Sequence, residues 1–367
     1  HFGMKLTLLV IITISIAHDA ASFTLNAIKL NESRLKSSES SKTSNPDFTS
    51  SPASPTSLPT PLPTPPLAQP SLTTPQTTLK DSQCPPHYSN LSRLYSPTTE
   101  STTNASPISS LRSSHCIIIG LGGVGSWVTE SLSRTALGRL TLIDLDDVCS
   151  SNINRQICAD TNTVGMFKAE VLKERCNRID ANCEVETVLD FIDGDNMEEI
   201  LDPLIDDRTI IIDTIDSSET KADLISYCFR KNVPIITCGS AGGLTDPTLI
   251  RCCDLSKVED DRLLFWTRKR LRKYHRFPKG PAQGEKNTHR VKSWNVKAVH
   301  SIQRKDVKKS QGKESKGGGG LRKCDSMLGT VSFCTGIVGF VAAGKAVEMI
   351  VEDDFTAPNV KLESVQK

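Results

Sequence analysis

No two cysteines in this chain are spaced C-x-x-C, although there are twelve of them. That absence argues against a zinc ribbon, and the scattered spacing offers no disulfide framework. The thiols therefore read as free, in a reducing compartment. Acid is scarce near the front: in residues 22–78 only Glu32, Glu39 and Asp47 interrupt a tract of serine, threonine and proline. Such a tract cannot bury a core and is expected to be disordered. The apolar run ahead of it, residues 6–17, is too short to cross a membrane and fits a secretory signal. There is no internal repeat. Net charge is only +2, but residues 262–323 hold 20 Lys/Arg against 3 Asp/Glu.

A glycine turn dominates what is present: Ile117-Ile118-Ile119-Gly120-Leu121-Gly122-Gly123-Val124-Gly125-Ser126-Trp127. An apolar strand runs into a turn, and Val124, Val128 and Leu132 then recur at helical spacing. Glycines let backbone N–H groups approach an anion, and the helix N-terminus adds partial positive charge. NAD enzymes share such a turn, so it does not select a cofactor. Strands are expected at 116–119, 140–143, 185–188, 210–212, 233–237 and 249–253. Helices are expected at 124–135 (capped by Gly138), 165–179, 219–231, 263–274 and 327–350. The alternation predicts an α/β fold: a Rossmann-like, doubly wound, mostly parallel sheet behind a disordered presequence. Three parts follow: a presequence and linker over 1–84, a folded domain over 85–351 with a basic loop at about 278–323, and a tail over 352–367. Lys345 and Glu348 mark the last apolar helix as a buried one, not a membrane span.

Four features after the turn carry chemistry. Asp144 ends the second strand, where a carboxylate can accept hydrogen bonds from ribose hydroxyls, with Asp146 and Asp147 as helpers or bystanders. Asn154 and Arg155 lie just beyond and suit a triphosphate. Lys168 opens a helix, where it opposes the dipole unless an anion binds there. Asp216 follows the strand 210–212 and can hold Mg²⁺ against phosphates, while Asp213, nearer the strand, reads as structural.

Together, Gly120–Gly125, Asp144, residues 152–156, Lys168 and residues 213–217 resemble the adenylation domain of E1-like (ThiF/MoeB-type) activating enzymes. Within that family the chain is similar to the branch of tRNA threonylcarbamoyladenosine dehydratases. The likeness extends through Ala241-Gly242-Gly243, Asp246-Pro247-Thr248 and Cys253-Asp254-Leu255, and covers about residues 87–350. It implies ATP and Mg²⁺ as cofactors. ATP would be bound by Gly120, Gly122, Gly123, Gly125, Asp144, Asp146, Asn154, Arg155 and Lys168. Asp216 would be the metal ligand, with Arg155, Lys168 and Asp216 catalytic. Arg93, in Ser92-Arg93-Leu94-Tyr95, would reach a partner subunit's ATP. The activity implied is ATP-dependent cyclisation of N6-threonylcarbamoyladenosine at tRNA position 37, through an acyl-adenylate and intramolecular ring closure. Implied partners are the anticodon arm of ANN-decoding tRNAs, a second copy of the chain, and a sulfur-transfer-type protein.

The basic segment fits tRNA, with Arg268, Arg270, Arg272 and Lys273 as its contacts. Where bacterial relatives often carry a cysteine, Ala298 stands, so no thioester route is expected. Cys238 reads as buried packing and Cys324 as an exposed thiol. The front resembles the two-part presequences of algae with complex plastids, which implies a plastid address, with mitochondrion or secretory pathway as alternatives. Rival readings are adenylation of a ubiquitin-like sulfur carrier's C-terminal glycine and an NAD-dependent oxidoreductase. In the second, Arg155, Lys168 and Asp216 would share no purpose.

Overall fold

A computed structural model describes residues 86–95, 106–278, 292–303 and 328–362. The presequence, most of the basic loop, Cys324 and the last five residues lie outside them. The elements run α1 (Ser89–Leu94), α2 (Pro107–Arg112), β1 (His115–Ile119), α3 (Gly125–Ser133), β2 (Arg139–Ile143), α4 (Lys168–Ile179), β3 (Glu184–Val188), α5 (Met197–Leu201), β4 (Thr209–Asp213), α6 (Ser218–Lys231), β5 (Ile235–Cys238), β6 (Ile250–Asp254), α7 (Arg262–Tyr274), β7 (Lys297–Ser301) and α8 (Ser332–Val351).

The described strands form one seven-stranded sheet in the order β3-β2-β1-β4-β5-β7-β6. Every pairing is parallel except β6 with β7. The central strands are apolar at successive positions because both faces are covered. In β1, Cys116 and Ile118 face the core shared with α3, α4 and α8, while Ile117 and Ile119 face the core shared with α5, α6 and α7. The expected α/β architecture is therefore observed.

The expected strand 233–237 is seen as Ile235–Cys238, and α4 starts at Lys168 rather than 165. Gly138 does not cap α3. The helix ends at Ser133, and Ala136 takes the left-handed backbone at φ 59°. Gly138 is glycine for space, because a Cβ there would overlap the Arg112 carbonyl. β7 was not anticipated. It joins β5 to β6, and Ala298 lies buried in it.

The apolar helix α8 packs along α3 as well as the sheet. Its small residues make this possible: a Cβ on Gly339 would stand 2.8 Å from the Trp127 Cβ and 2.9 Å from the Val124 carbonyl oxygen. The helix is long and apolar enough to cross a membrane, yet most of it is buried inside the protein. It is a core helix, as the sequence indicated.

Candidate active site at the carboxyl edge of the sheet

The strands β1, β2, β4 and β5 point their carboxyl ends at one edge, and the glycine turn lies there. Gly120 has φ +86°, a backbone suited to glycine. Its N–H donates to the Ile143 carbonyl at 2.9 Å, and its own carbonyl accepts from the Thr214 hydroxyl. A Cβ on Gly125 would overlap that same Gly120 carbonyl. The turn is thus clamped between β2 and the segment after β4. Thr214 was not singled out in the sequence, because a hydroxyl after a strand carries no signal until its partner is known.

Asp144 braces the turn from β2. Its carboxylate accepts from the Leu121 N–H at 2.6 Å and the Asp146 N–H at 2.7 Å. Burial raises its pKa, against the opposing charge of Lys168 and those two backbone hydrogen bonds. A carboxylate has lone pairs beyond these two bonds, so it keeps capacity for a hydroxyl donor. Lys168, at the first turn of α4, is buried and pairs with Asp146 through an Nζ–Oδ2 contact of 2.7 Å. Asp146 is therefore the helper of Lys168, and it offsets the unfavourable dipole at that helix start.

Arg155 arrives from the loop after β2. Its carbonyl is held by two donors, Trp127 Nε1 at 3.0 Å and Thr335 Oγ1 at 3.1 Å, one from α3 and one from α8. Its side chain lies over the turn, where a Cβ on Gly123 would meet the Arg155 Cδ at 3.7 Å. The guanidinium donates to the Ser151 carbonyl at 2.5 Å and the Asn154 Oδ1 at 3.1 Å. Asn154 in turn donates to the Thr330 carbonyl at 2.8 Å, which ties this loop to the entry of α8. Neither Trp127 nor Thr335 was assigned a role from sequence, since both act through the Arg155 backbone.

The two aspartates after β4 separate cleanly. Asp213 is fully buried and pairs with fully buried Lys221 at 2.9 Å, and Thr237 Oγ1 donates to it at 2.7 Å. It is structural, as its place in the strand indicated. Asp216 is exposed beyond the strand end and makes no ion pair among the described residues. Among those residues no three His, Cys, Asp or Glu side chains converge on one point. A single carboxylate beside a phosphate turn fits Mg²⁺, which takes one or two protein carboxylates and completes its shell with phosphates and water.

Two groups are not brought to this edge. Arg93 is exposed on α1. That helix is anchored where strands begin, by the Tyr88 hydroxyl donating to Asp180 at 2.8 Å and by Tyr88 packing on Ala136. Arg268 is a correction. Its guanidinium is buried and donates to the Leu255 carbonyl at 3.1 Å and to the Val258 carbonyl. Burial pushes its pKa down to about 10. It holds a loop and is largely withdrawn from solvent. Arg272 also turns inward, donating to the Pro278 carbonyl at 3.1 Å and lying 5.3 Å from the Trp294 ring centroid. Arg270 pairs with Glu219, and Lys273 stays exposed.

Of the ten described cysteines seven are buried. Cys238 lies in the core as expected, its pKa pushed up to about 12 by burial.

A Rossmann-like sheet, a clamped glycine turn, two cations and one exposed carboxylate define a nucleotide-binding domain built to hold phosphates. The chain belongs to the ThiF family, whose pattern matches residues 101–366. It is similar to tRNA threonylcarbamoyladenosine dehydratase of Haemophilus influenzae, with 37% identity over 265 residues, which is 72% of this chain and 93% of that protein. It is also similar to the crystal structure of Escherichia coli tRNA N6-threonylcarbamoyladenosine dehydratase in complex with ATP. There the TM-score is 0.59 and the identity 32%, covering 73% of this chain and 94% of that one. The complex of the same enzyme with AMP gives a TM-score of 0.58, 33% identity and coverage of 72% and 93%.

Proposed function

We propose that this protein is an ATP-dependent dehydratase that cyclises N6-threonylcarbamoyladenosine in tRNA. The observation that carries the reading is Arg155, its carbonyl held by Trp127 and Thr335 and its side chain lying over the glycine turn, in a chain 37% identical over 265 residues to a dehydratase.

A carboxylate is a poor electrophile because its oxygen leaves badly. Attack by the threonyl carboxylate on the α-phosphorus of ATP forms an acyl-adenylate and releases pyrophosphate. A nitrogen of the same side chain then attacks the carbonyl and expels AMP. The net change is loss of one water and closure of a ring. The second step is intramolecular, so proximity replaces a protein nucleophile. The chain's own task is electrostatic. Backbone N–H groups of the turn and the cations of Arg155 and Lys168 receive the phosphates. Lys168 would exchange part of its contact with Asp146 for a phosphate oxygen. Asp216 would hold Mg²⁺, which neutralises phosphate charge when bound.

Further parts of the proposal concern assembly and address. Beside its contact with α3, where the Phe340 ring lies 5.8 Å from that of Trp127, α8 exposes Phe333 and Phe340, with Ile337 half-buried between them. This i, i+4, i+7 stripe suits a second copy of the chain, and Arg93 would then serve the partner's site. The presequence would direct the protein to a plastid. The test is pyrophosphate exchange into ATP. Exchange should appear only with tRNA carrying threonylcarbamoyladenosine. Exchange driven instead by a carrier protein with a C-terminal glycine would overturn the reading.

A further inference from the structure

Residues 262–276 contain seven Lys/Arg and no acid. The buried side of α7 is supplied by Leu264, Thr267, Arg268 and Leu271, so the core needs nothing from the opposite face. Three large rings nevertheless stand outside that buried side, Trp266 (42% exposed) opposite it and Phe265 (51%) and Tyr274 (57%) on its two flanks. Ammonium groups accompany them. Lys269 Nζ lies 4.6 Å from the Trp266 centroid and Lys273 Nζ 4.6 Å from that of Tyr274. A merely solvated basic face has no need of exposed rings.

The helix is fixed to the catalytic edge. Its cap, Asp261, accepts from the Leu264 N–H at 2.9 Å and from the Ser240 N–H at 3.0 Å, two residues past the end of β5. Phe265 and Trp266 therefore stand in the turns nearest the glycine turn's edge. Tyr274 follows about 12 Å further along the axis.

Exposed rings offer a face to a base, and neighbouring ammonium groups neutralise its phosphates. Paired RNA buries its base faces, so the complementary partner is a loop whose bases can unstack. We infer that Trp266, buttressed edge-on by Phe265, and Tyr274 form a stacking platform for unpaired tRNA loop nucleotides, with Lys269 and Lys273 on the adjoining phosphates. This deepens the dehydratase reading and rests on it for the identity of the RNA.

The test uses the full chain with an unmodified tRNA transcript and its isolated anticodon stem-loop. Binding is followed by fluorescence anisotropy across a salt series. Trp266→Ala with Tyr274→Ala should weaken both RNAs about tenfold or more, on the scale of one or two lost stacks. The salt slope and ATP affinity should be unchanged. Trp266→Phe with Tyr274→Phe should restore most of the binding, which separates stacking from damage to the helix. Lys269→Ala and Lys273→Ala should each lower the salt slope by about 1. Unchanged RNA affinity in the alanine pair would overturn the platform even if wild-type protein cyclised tRNA normally. So would ring-dependent binding of the wild type to phosphatidylserine vesicles without binding to the stem-loop. Ring-dependent stem-loop binding with no cyclised nucleoside would uphold the platform and remove the dehydratase reading alone.

Discussion

Asp213 and Asp216 lie three residues apart and answer to different physics. Asp216 is exposed, so Asp216→Asn should leave thermal unfolding nearly unchanged while turnover falls about a hundredfold or more, on the scale of losing a key electrostatic group. Steady-state AMP release and a melting curve check both halves. Asp213→Asn should do the reverse, because it strands the Lys221 ammonium in the core. Breaking one side of a buried pair costs about 3–5 kcal/mol, which urea unfolding would register. This division was legible in the sequence, since one residue closes the apolar strand and the other follows it. Asp146 was legible only as a helper, because its distance to Lys168 is a tertiary fact. The thiols were readable as well. Cys238→Ser should lower stability and leave product formation in the folded fraction intact, since burial keeps that thiol protonated. A trapped thioester would refute this.

Among the elements, α3 and α8 position the site from behind. Trp127 packs against the glycines of α8 and donates to the Arg155 carbonyl, as does Thr335. Trp127→Phe keeps the ring and removes the donor. Combined with Thr335→Val it should release the Arg155 backbone. We expect kcat to fall with fold and tRNA affinity kept, measured by steady-state kinetics beside circular dichroism. Unchanged kcat would show that the turn alone positions Arg155. The amphipathic pattern predicted α7 to within a residue, and the small, apolar composition of α8 predicted that helix with its start five residues early. Arg268 was misassigned, since charge counting cannot say which side of a helix a basic residue takes. The short strand β7 escaped notice because Lys297, His300 and Ser301 give it no apolar run. It becomes a strand only through pairing with β5 and β6.

For the molecule as a whole, acid sensitivity has an identifiable source. His115 starts β1, fully within the sheet, 2.8 Å from Thr141 Oγ1 and 3.0 Å from the Arg139 guanidinium. Burial, then the Arg139 charge, push its pKa from 6.5 down to about 4. The folded state therefore requires neutral imidazole. The contribution is fully present above pH 6.5 and is lost as pH falls from there towards 4, where the unfolded chain binds a proton that the fold excludes. The melting temperature should decline across that window, and His115→Gln should flatten the decline. An equal slope in the variant would place the sensitivity elsewhere. The account's central claim is a reaction, and it is read most directly from the nucleoside. Purified protein, ATP, Mg²⁺ and tRNA bearing threonylcarbamoyladenosine are incubated together, and the digested tRNA is analysed by mass spectrometry. The account predicts a nucleoside lighter by one water, formed with one AMP per ring closed. Intact threonylcarbamoyladenosine after ATP has been bound, with no AMP released, would contradict it.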